Sequence, residues 1–457
     1  MKVANQPQYT ITKADKQQKL EIAAAWDAYK GNFKPALQVL ENEPDPNVIS
    51  NRCQPVVNRG VEFLFDQELE ISVESDAPAG VQDLINKSWG IKETRLPLLQ
   101  KLAMNGAIAG QGFLRIVPQS DGTFRLLVPD PATIYVETDT QDVETVTLYC
   151  TEYSMQKNQQ TIFYREEIAR IDPGDTWNIE HWTRIGAYGD WQSGGPAIPW
   201  PYTFAPIFSC QNLPMPNSFW GFPDITPDLI NLNDALNLVL TDINSTNRWY
   251  GRPIVYATGT GEQLIDIKPG RIIGLPTAES KIVSVAFASD MGSSLAFSND
   301  LRSDIDELTG VPGVATGRIS ALPRGSMSGI AIELLFMPLL KKMQKKRCLY
   351  GDLILQVTNA FLVLSKISAA YDISIAWQNP LPVDDLATVQ AAIAKKPIGI
   401  SNSTLQRELG YDPQEELALS QTEDAQAAAA LAAQQAAMMP TTPAPPAAPQ
   451  YLGGVPQ

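Results

Sequence analysis

One histidine and one serine–lysine pair are the residues whose types suggest catalysis. His181 is the only histidine, and it lies beside Trp182 in a β-rich stretch. A single histidine cannot form a histidine metal cluster, so we expect His181 to pack on a sheet or lie at the surface. The segment from Ser154 to Lys157 matches the SxxK pattern of acyl-enzymes. Its lysine lies in a Gln/Asn-rich stretch and the companion motifs are absent, which favours a chance match.

Cofactor and nucleotide chemistry have no sequence support. The chain contains neither GxxxxGK[ST] nor GxGxxG, the phosphate-binding loops of ATPases and dinucleotide enzymes. Its four cysteines, Cys53, Cys150, Cys210 and Cys348, are far apart without a CxxC pair. This spacing predicts reduced, buried thiols rather than a disulfide frame or a zinc site. We therefore expect no cofactor, no metal and no enzymatic activity.

A group of carboxylates offers the strongest alternative to that expectation. Asp300, Asp304, Asp306 and Glu307 follow one another at helical spacing, and carboxylates that share a helix face can bind a divalent cation. The favoured interpretation is that these carboxylates face solvent or a neighbouring subunit without binding a metal ion. A metal-dependent enzyme whose site forms between subunits stays open as an alternative.

Two sets of basic residues are candidates for contact with DNA. Lys341, Lys342, Lys345, Lys346 and Arg347 form a stripe along a predicted helix, which either contacts phosphate or pairs with acidic residues of a neighbouring subunit. Arg318 and Arg324 lie in a predicted loop that can touch passing phosphates, or that is an ordinary surface loop. No aromatic residues interleave with these cations, so sequence-specific reading is not expected.

The composition favours globular material without a membrane span. The 457 residues include 35 Lys and Arg against 50 Asp and Glu, a net charge of -15. This balance argues against a protein that coats nucleic acid by neutralising phosphates. The amino terminus lacks the apolar core of a signal peptide, and the longest apolar stretch, Leu353 to Leu364, is too short to cross a bilayer. We expect synthesis and assembly in the cytoplasm.

The order of predicted elements indicates an α+β chain. Helical patterns cover residues 14–40 and 56–65, and short antiparallel strands follow from Gly112. A helix begins at Thr226, a small β module follows Gly251, and a second helix runs from a cap at Ser298 to Gly310.

Beyond this unit the pattern predicts a loop, a long helix and a small helical cluster. The loop covers residues 311–327, and the helix runs from about Ser328 to Lys366 with possible kinks at Pro338 and Gly351. The strand DISIAW comes next, then short helices in which Ser403 and Gln406 form a capping-box pattern. An Ala/Gln/Pro tail follows residue 420.

Several phrases in this order resemble the portal protein family of long-tailed bacteriophages, between Trp26 and Leu417. They are Tyr29-Lys30-Gly31, NRCQPVVNRGVEFLFDQELEI at 51–71, GQGFLRIVPQSDGTFRLLVPDPATIYVETD at 110–139, the segment 206–243 that includes NSFWGFPDITPDLINLNDALNLV, LTGVPGVATG at 308–317, SMSGIAIELLFMPL at 326–339 and ISNSTLQRELGYDPQEEL at 400–417. Each phrase is weak alone, and their order makes chance improbable. The tail has no counterpart in the family.

The resemblance implies an α+β portal fold in a dodecameric ring. The implied parts are a mixed α/β wing (1–225), stem helices (226–250 and 292–310), a β-containing clip (251–291), a tunnel loop (311–327), a long wing helix with a return strand (328–382), a helical crown (383–420) and a low-complexity tail (421–457). Within the clip, the candidate terminase-docking residues are Arg252, Glu262, Asp266, Lys268 and Arg271.

The resemblance also implies the partners and the location. The ring occupies one capsid vertex of the virion, assembles in the host cytoplasm, and passes double-stranded DNA during packaging and ejection. Its implied partners are terminase, major capsid and scaffold proteins, and head-completion or tail adaptor proteins. An acidic interior would keep DNA from sticking. Another virion structural or adaptor subunit is the alternative.

Overall fold

Helices and antiparallel strands follow one another along the chain largely as the sequence predicts, which confirms the α+β class. The chain divides into two units, residues 1–380 and 381–457. The computed structural model describes residues 6–38, 45–65, 69–73, 77–90, 92–119, 123–171, 176–251, 255–258, 279, 281–284, 291–318, 329–367, 371–378, 380, 393–408, 416–417 and 419–423.

The first unit contains the longer helices. They are α1 (Lys13–Lys30), α2 (Cys53–Leu64), α3 (Ala79–Ser88), α4 (Lys92–Ala109), α5 (Pro227–Gly251), α6 (Met291–Thr309) and α7 (Gly329–Leu364). Local chemistry fixes both ends of α1. Thr12 and Asp15 form a reciprocal capping box, and Gly31 ends the helix with a φ of 81°, a left-handed conformation that glycine adopts without strain.

The strands of the first unit form antiparallel sheets, as predicted. Their bounds are β1 (Glu70–Val73), β2 (Gln111–Pro118), β3 (Phe124–Leu127), β4 (Ile134–Thr138), β5 (Val146–Lys157), β6 (Gln160–Ile171), β7 (Thr176–Ile185), β8 (Gln192–Ser193), β9 (Ile198–Trp200), β10 (Ile207–Gln211), β11 (Val255–Thr258), β12 (Lys281–Ser284) and β13 (Ile373–Ala376). The largest sheet has the order β4-β5-β6-β7-β8, with β9 also paired to β7.

Three smaller strand groups are present among the described residues of the first unit. A three-stranded sheet has the order β10-β2-β3. The strand β1 pairs with β13, which is the predicted DISIAW strand, so the chain after α7 returns to the region before α3. The hairpin β11-β12 lies within the insert between α5 and α6.

The helix α7 forms the centre of the first unit. Its side chains Tyr350, Ile354, Val357 and Phe361 are almost wholly buried, and the helix packs against α2, α3 and β10. The stretch from Ala331 to Leu364 is long and apolar enough to cross a membrane, so the apolar stretch is longer than predicted. Of its most apolar window, 56% is buried inside the protein, as expected for a core helix.

One predicted helix start differs from the structure. The helix α6 begins at Met291, and Ser298 is a buried residue inside it whose hydroxyl donates to the carbonyl of Leu295. The pattern misplaced the start because the apolar side chains of residues 291–297, such as Leu295 and Phe297, are exposed and do not continue the buried side of the helix. The helix α7 continues through Pro338 and Gly351, as predicted, and the kinks at these two residues stay predictions.

The four cysteines are free thiols. Cys53, Cys150 and Cys210 are buried, as predicted, and burial raises the pKa of each thiol. Cys348 is exposed, so the prediction of a buried thiol is wrong at this position. Two helical residues turn the chain by about 200°, which places Cys348 on the side of α7 opposite to the buried Tyr350.

In the second unit the structure describes a 3-10 turn, Lys396–Ile398, and the helix α8, Asn402–Glu408. The predicted cap is shifted, because Ser401 rather than Ser403 accepts the backbone N–H of Thr404, at 3.2 Å. The Ala/Gln/Pro tail after residue 423 lies outside the described residues.

Candidate functional site

The predicted basic stripe divides into exposed and buried members. Lys341 and Lys345 are exposed, whereas Lys342 is half-buried and Lys346 is only 2% exposed. The prediction that Lys346 lies near passing DNA is wrong, because its ammonium group points into the protein. Helical spacing could not separate these lysines, since it does not indicate which side of α7 packs on its neighbours.

Lys346 and Lys342 share one buried carboxylate, Asp224. The Nζ atom of Lys346 lies 2.5 Å from Oδ2 of Asp224, and that of Lys342 lies 2.8 Å from Oδ1. Burial alone would raise the pKa of Asp224, but the two ammonium groups outweigh burial and hold this pKa well below its ordinary value. Asp224 is therefore a carboxylate with both oxygens neutralised by α7.

This buried cluster ties α7 to the start of α5 and the end of α6. Asp224 lies three residues before α5, and its backbone N–H donates to the carbonyl of Ala107 at 2.6 Å. Lys342 also donates to the carbonyl of Thr309, the last residue of α6, at 3.1 Å. The cluster therefore fixes one end of the helix pair α5–α6 on the long helix.

A second buried polar contact continues along the same side of α7. The hydroxyl group of Tyr350 donates to Oδ1 of Asn212 at 3.4 Å, and Asn212 also lies next to Asp224. A Cβ atom at Gly106 would clash with the Tyr350 oxygen, so a glycine is required at this point of α4. The position of α7 is thus fixed by close packing as well as by charge.

Arg318 is tethered to its own chain. Its guanidinium group contacts the Asp306 carboxylate on α6, and its backbone N–H donates to the carbonyl of Gly313 at 2.8 Å. Burial raises the pKa of Asp306, while Arg318 and the Gly313 N–H act in the opposite direction. The start of the predicted loop is therefore folded back onto α6, and contact of Arg318 with DNA stays a prediction.

The remaining predicted site residues lie outside the described residues. These are Arg324 of the predicted loop and the clip candidates Arg252, Glu262, Asp266, Lys268 and Arg271. Their proposed contacts stay predictions.

Sequence reasoning missed a ladder of polar side chains on α5. Asn233, Asn237 and Thr241 accept the backbone N–H groups of Arg52, Ser50 and Val48 at 2.7, 2.8 and 3.0 Å. Asn244 donates to the carbonyl of Pro46 at 2.8 Å. We call residues 45–52 the strap, because it lies along α5 held by these side chains. The four-residue spacing of these polar residues could have revealed a second contact side of the helix, but we interpreted α5 from its leucine pattern alone.

The candidate catalytic residues have ordinary surroundings. The Nδ1 atom of His181 lies 3.6 Å from Oε2 of Glu166 on the neighbouring strand, and half of the His181 side chain is exposed. Ser154 and Lys157 lie exposed at the end of β5. Asp300, Asp304 and Glu307 are exposed while Asp306 faces Arg318. In the described ranges, no three His, Cys, Asp or Glu side chains are close enough to hold a metal ion.

A comparison with family profiles decides how this arrangement is interpreted. The profile described as "Phage portal protein, SPP1 Gp6-like" matches residues 9–430, nearly the whole chain. The chain belongs to this portal protein family. It is a structural subunit of the portal at a capsid vertex of a phage virion. The matched range includes α5, α6, α7 and the segment that carries Arg318.

Solved structures give more distant likenesses to the portal chain. One is described as "Neck of native GTA particle computed with C12 symmetry", with 14% identity, a TM-score of 0.45, and coverage of 79% of this chain and 90% of that chain. A second, "Virion of native gene transfer agent (GTA) particle", has 15% identity, a TM-score of 0.44, and coverage of 86% and 94%.

An HK97-family phage portal protein from Corynebacterium diphtheriae is also similar. It shows 12% identity, a TM-score of 0.27, and coverage of 66% of this chain and 90% of that chain. No curated protein sequence matches the chain.

Proposed function

We propose that twelve copies of this chain form a closed ring whose channel passes double-stranded DNA into and out of the capsid. The observation that carries this proposal is the family match over residues 9–430, which includes every described helix of the first unit. A ring requires a head-to-tail interface whose rotation closes, so each subunit must keep its elements in one fixed relation. The buried cluster of Asp224, Lys342 and Lys346 provides such a fixed point.

The parts of the ring follow the chain order. We assign residues 1–225 to the wing, α5 and α6 to the stem, and the insert 251–291 to the clip. Residues 311–327 form the tunnel loop, 328–382 the long wing helix with its return strand, and 383–420 the crown. The packing of α5 against α6 supports a two-helix stem, and the hairpin β11-β12 supports a clip that contains strands.

DNA passes this ring without tight binding. The net charge of -15 disfavours general adhesion of phosphates. Lys341 and Lys345 are exposed on α7 and can approach the duplex, as can Arg318 if it leaves Asp306. The chain itself carries no ATP-binding motif, so terminase supplies the energy for packaging while docked at the clip. Capsid, scaffold and adaptor proteins contact the outer parts, and the chain acts without catalysis.

The first experiment is negative-stain imaging of the purified chain combined with mass photometry. We expect rings with a central hole and a mass of twelve subunits. A monomer or dimer, both alone and in the presence of scaffold protein, would contradict the ring. That outcome would favour an adaptor subunit of the virion.

A further inference from the structure

Three arginines from separate parts of the chain line one small pocket. Arg52 lies at the end of the strap, Arg302 on α6 and Arg318 at the start of the tunnel loop. Asp306 is the carboxylate in the same pocket. Three positive charges therefore share one negative charge.

The hydrogen bonds of these arginines are incomplete. Arg318 contacts Asp306, and Nη1 of Arg302 donates to Oδ1 of Asn299 at 2.9 Å. Within the described residues, the Arg52 guanidinium has no hydrogen-bond or ion-pair partner, and the Nε atoms of all three arginines are buried without a partner. Burial lowers the pKa of Arg52, and the charges of Arg302 and Arg318 lower it further. The pocket therefore has unpaired hydrogen-bond donors and excess positive charge, both of which can bind a further anion.

The other side of α6 carries the complementary charge. With 3.6 residues per turn, positions 300, 304 and 307 share one side of the helix, and positions 302 and 306 lie on the other. Asp300, Asp304 and Glu307 are all exposed. We call these three residues the acidic face. The same helix therefore presents surplus arginine on one side and exposed carboxylates on the other.

We propose that the pocket of Arg52, Arg302 and Arg318 binds a carboxylate from the acidic face of a second copy of this chain. The inference rests on the proposed ring, in which each interface joins two different sides of the subunit. A repeating head-to-tail contact brings the basic side of one α6 to the acidic side of the next. Arginine suits this contact because its planar guanidinium group binds a carboxylate through two parallel hydrogen bonds.

A carboxylate side chain fits the pocket better than a phosphate of passing DNA does. The pocket is a narrow recess between α6, α2, the strap and the loop start, with room for little more than one oxygen atom. One carboxylate oxygen of an Asp or Glu side chain can enter such a recess while the rest of the group stays at its mouth, whereas a duplex carries its phosphates on a wide cylinder and contacts cations that project. The acidic balance of the chain also makes carboxylates the most abundant anions that a neighbouring copy can offer.

Charge exchange tests this contact within the full-length chain. The variant Arg302→Glu places a carboxylate in the pocket, and Asp304→Arg reverses the centre of the acidic face. We expect each single variant to lower the fraction of subunits in rings by about tenfold or more, as loss of a partly buried ion pair implies. The double variant should recover rings. The control is Lys101→Glu, an equal charge change at an exposed residue of α4 outside the pocket, which should leave ring formation unchanged.

A mixture of the two single variants gives the sharpest result. When the two variants alternate around the ring, the carboxylate introduced by Arg302→Glu meets the guanidinium introduced by Asp304→Arg at every second interface. At the interfaces between these, the original pocket meets the original carboxylate. Native mass spectrometry should therefore show rings with equal numbers of the two variants, separated by a small mass label. Recovery by mixing also shows that both single variants are folded.

Four results would overturn the inference. Single variants that form rings as the wild type does would remove the contact. Loss of rings that neither the double variant nor the mixture restores would indicate a structural role within one subunit. Normal rings of Arg302→Glu that no longer retain DNA would assign the pocket to phosphate. A wild-type chain that never forms rings would overturn the proposed function as well, and it is recognised before any variant is made.

Discussion

At the scale of single residues, the four lysines of α7 show how burial divides residues that look alike in the sequence. Lys341 and Lys345 repeat at the same four-residue interval as Lys342 and Lys346. Only the second pair faces Asp224, because the side of α7 that carries it packs on the segment before α5. A buried charge needs a partner, so these two lysines are structural whereas their neighbours are available for contact.

Removing the buried ammonium group of Lys346 should destabilise the subunit. In Lys346→Met the carboxylate of Asp224 keeps only Lys342, and we expect the free energy of unfolding to fall by about 3 kcal/mol. The control is Lys345→Met, one position away and exposed, which should change stability by less than about 0.5 kcal/mol. Denaturant unfolding of both variants in the same oligomeric state measures the difference. Equal stability of the two variants would show that the buried pair is not required.

The same cluster predicts how stability depends on acid. The pKa of Asp224 is held below its ordinary value of 3.8 in the folded chain, so the folded state binds this proton less readily than the unfolded state does. Its contribution is therefore complete above about pH 4 and is lost as the pH falls toward the lowered pKa. We expect Asp224→Asn to be less stable at neutral pH and to lose less stability between about pH 5 and pH 3. Parallel plots of the free energy of unfolding against pH for the wild type and the variant would contradict this assignment.

At the scale of elements, the sequence predicts helices and strands well where one side is apolar. The leucines of α5 and the alternation in β5 to β7 identify those elements because periodicity records which side is buried. Hydrophobic periodicity fails where the buried contacts of a helix are made by polar side chains. Asn233, Asn237 and Thr241 are buried on α5, where they bind the strap. The strap lies much earlier in the sequence, and periodicity within one helix cannot identify so distant a partner.

The candidate site was predicted less completely than the fold. Arg318 could be selected from its loop, but its contact with Asp306 depends on how residues 312–317 turn back on α6. Arg52 and Arg302 were not selected, since each looks like an ordinary charge in its own helix or turn. Their convergence depends on tertiary packing that local patterns do not record.

The strap gives a prediction for a whole element. Its contacts fit α5 because two extended residues span about 6.6 Å and four helical residues span about 6 Å, so alternate strap residues meet successive turns. In Asn237→Ala the N–H of Ser50 loses its acceptor, which should cost about 1 kcal/mol. Hydrogen exchange of the peptide that contains residues 46–52 should become about fivefold faster, the change that such a cost implies.

The matched control for the strap is Asn231→Ala. Asn231 is exposed on the same helix, so its loss changes helix propensity in the same way without touching the strap. Exchange in residues 46–52 should stay at the wild-type rate. If both variants accelerate exchange equally, the effect belongs to α5 itself rather than to the ladder.

At the scale of the whole molecule, the helices of the first unit are joined at one fixed junction. The helix pair α5–α6, residues 311–318 and the long helix α7 all meet at Asp224, Thr309 and Asp306. The insert between α5 and α6 enters only through the far ends of those helices. If the proposed stem and clip are correct, ring formation and partner docking should therefore be separable, because the junction lies at one end of the helix pair and the insert is attached at the other.

Replacing residues 252–290 by a short Gly/Ser linker tests this separation. The junction residues are untouched, so we expect rings of unchanged subunit number by negative-stain imaging and mass photometry. Docking of terminase should be lost, because the clip candidates Arg252, Glu262, Asp266, Lys268 and Arg271 are removed, and packaging of DNA into proheads should fall to background. Rings that package DNA normally would contradict the clip assignment. Collapse of the ring would show instead that the insert contributes to contacts between subunits, and would move the interface away from the stem junction.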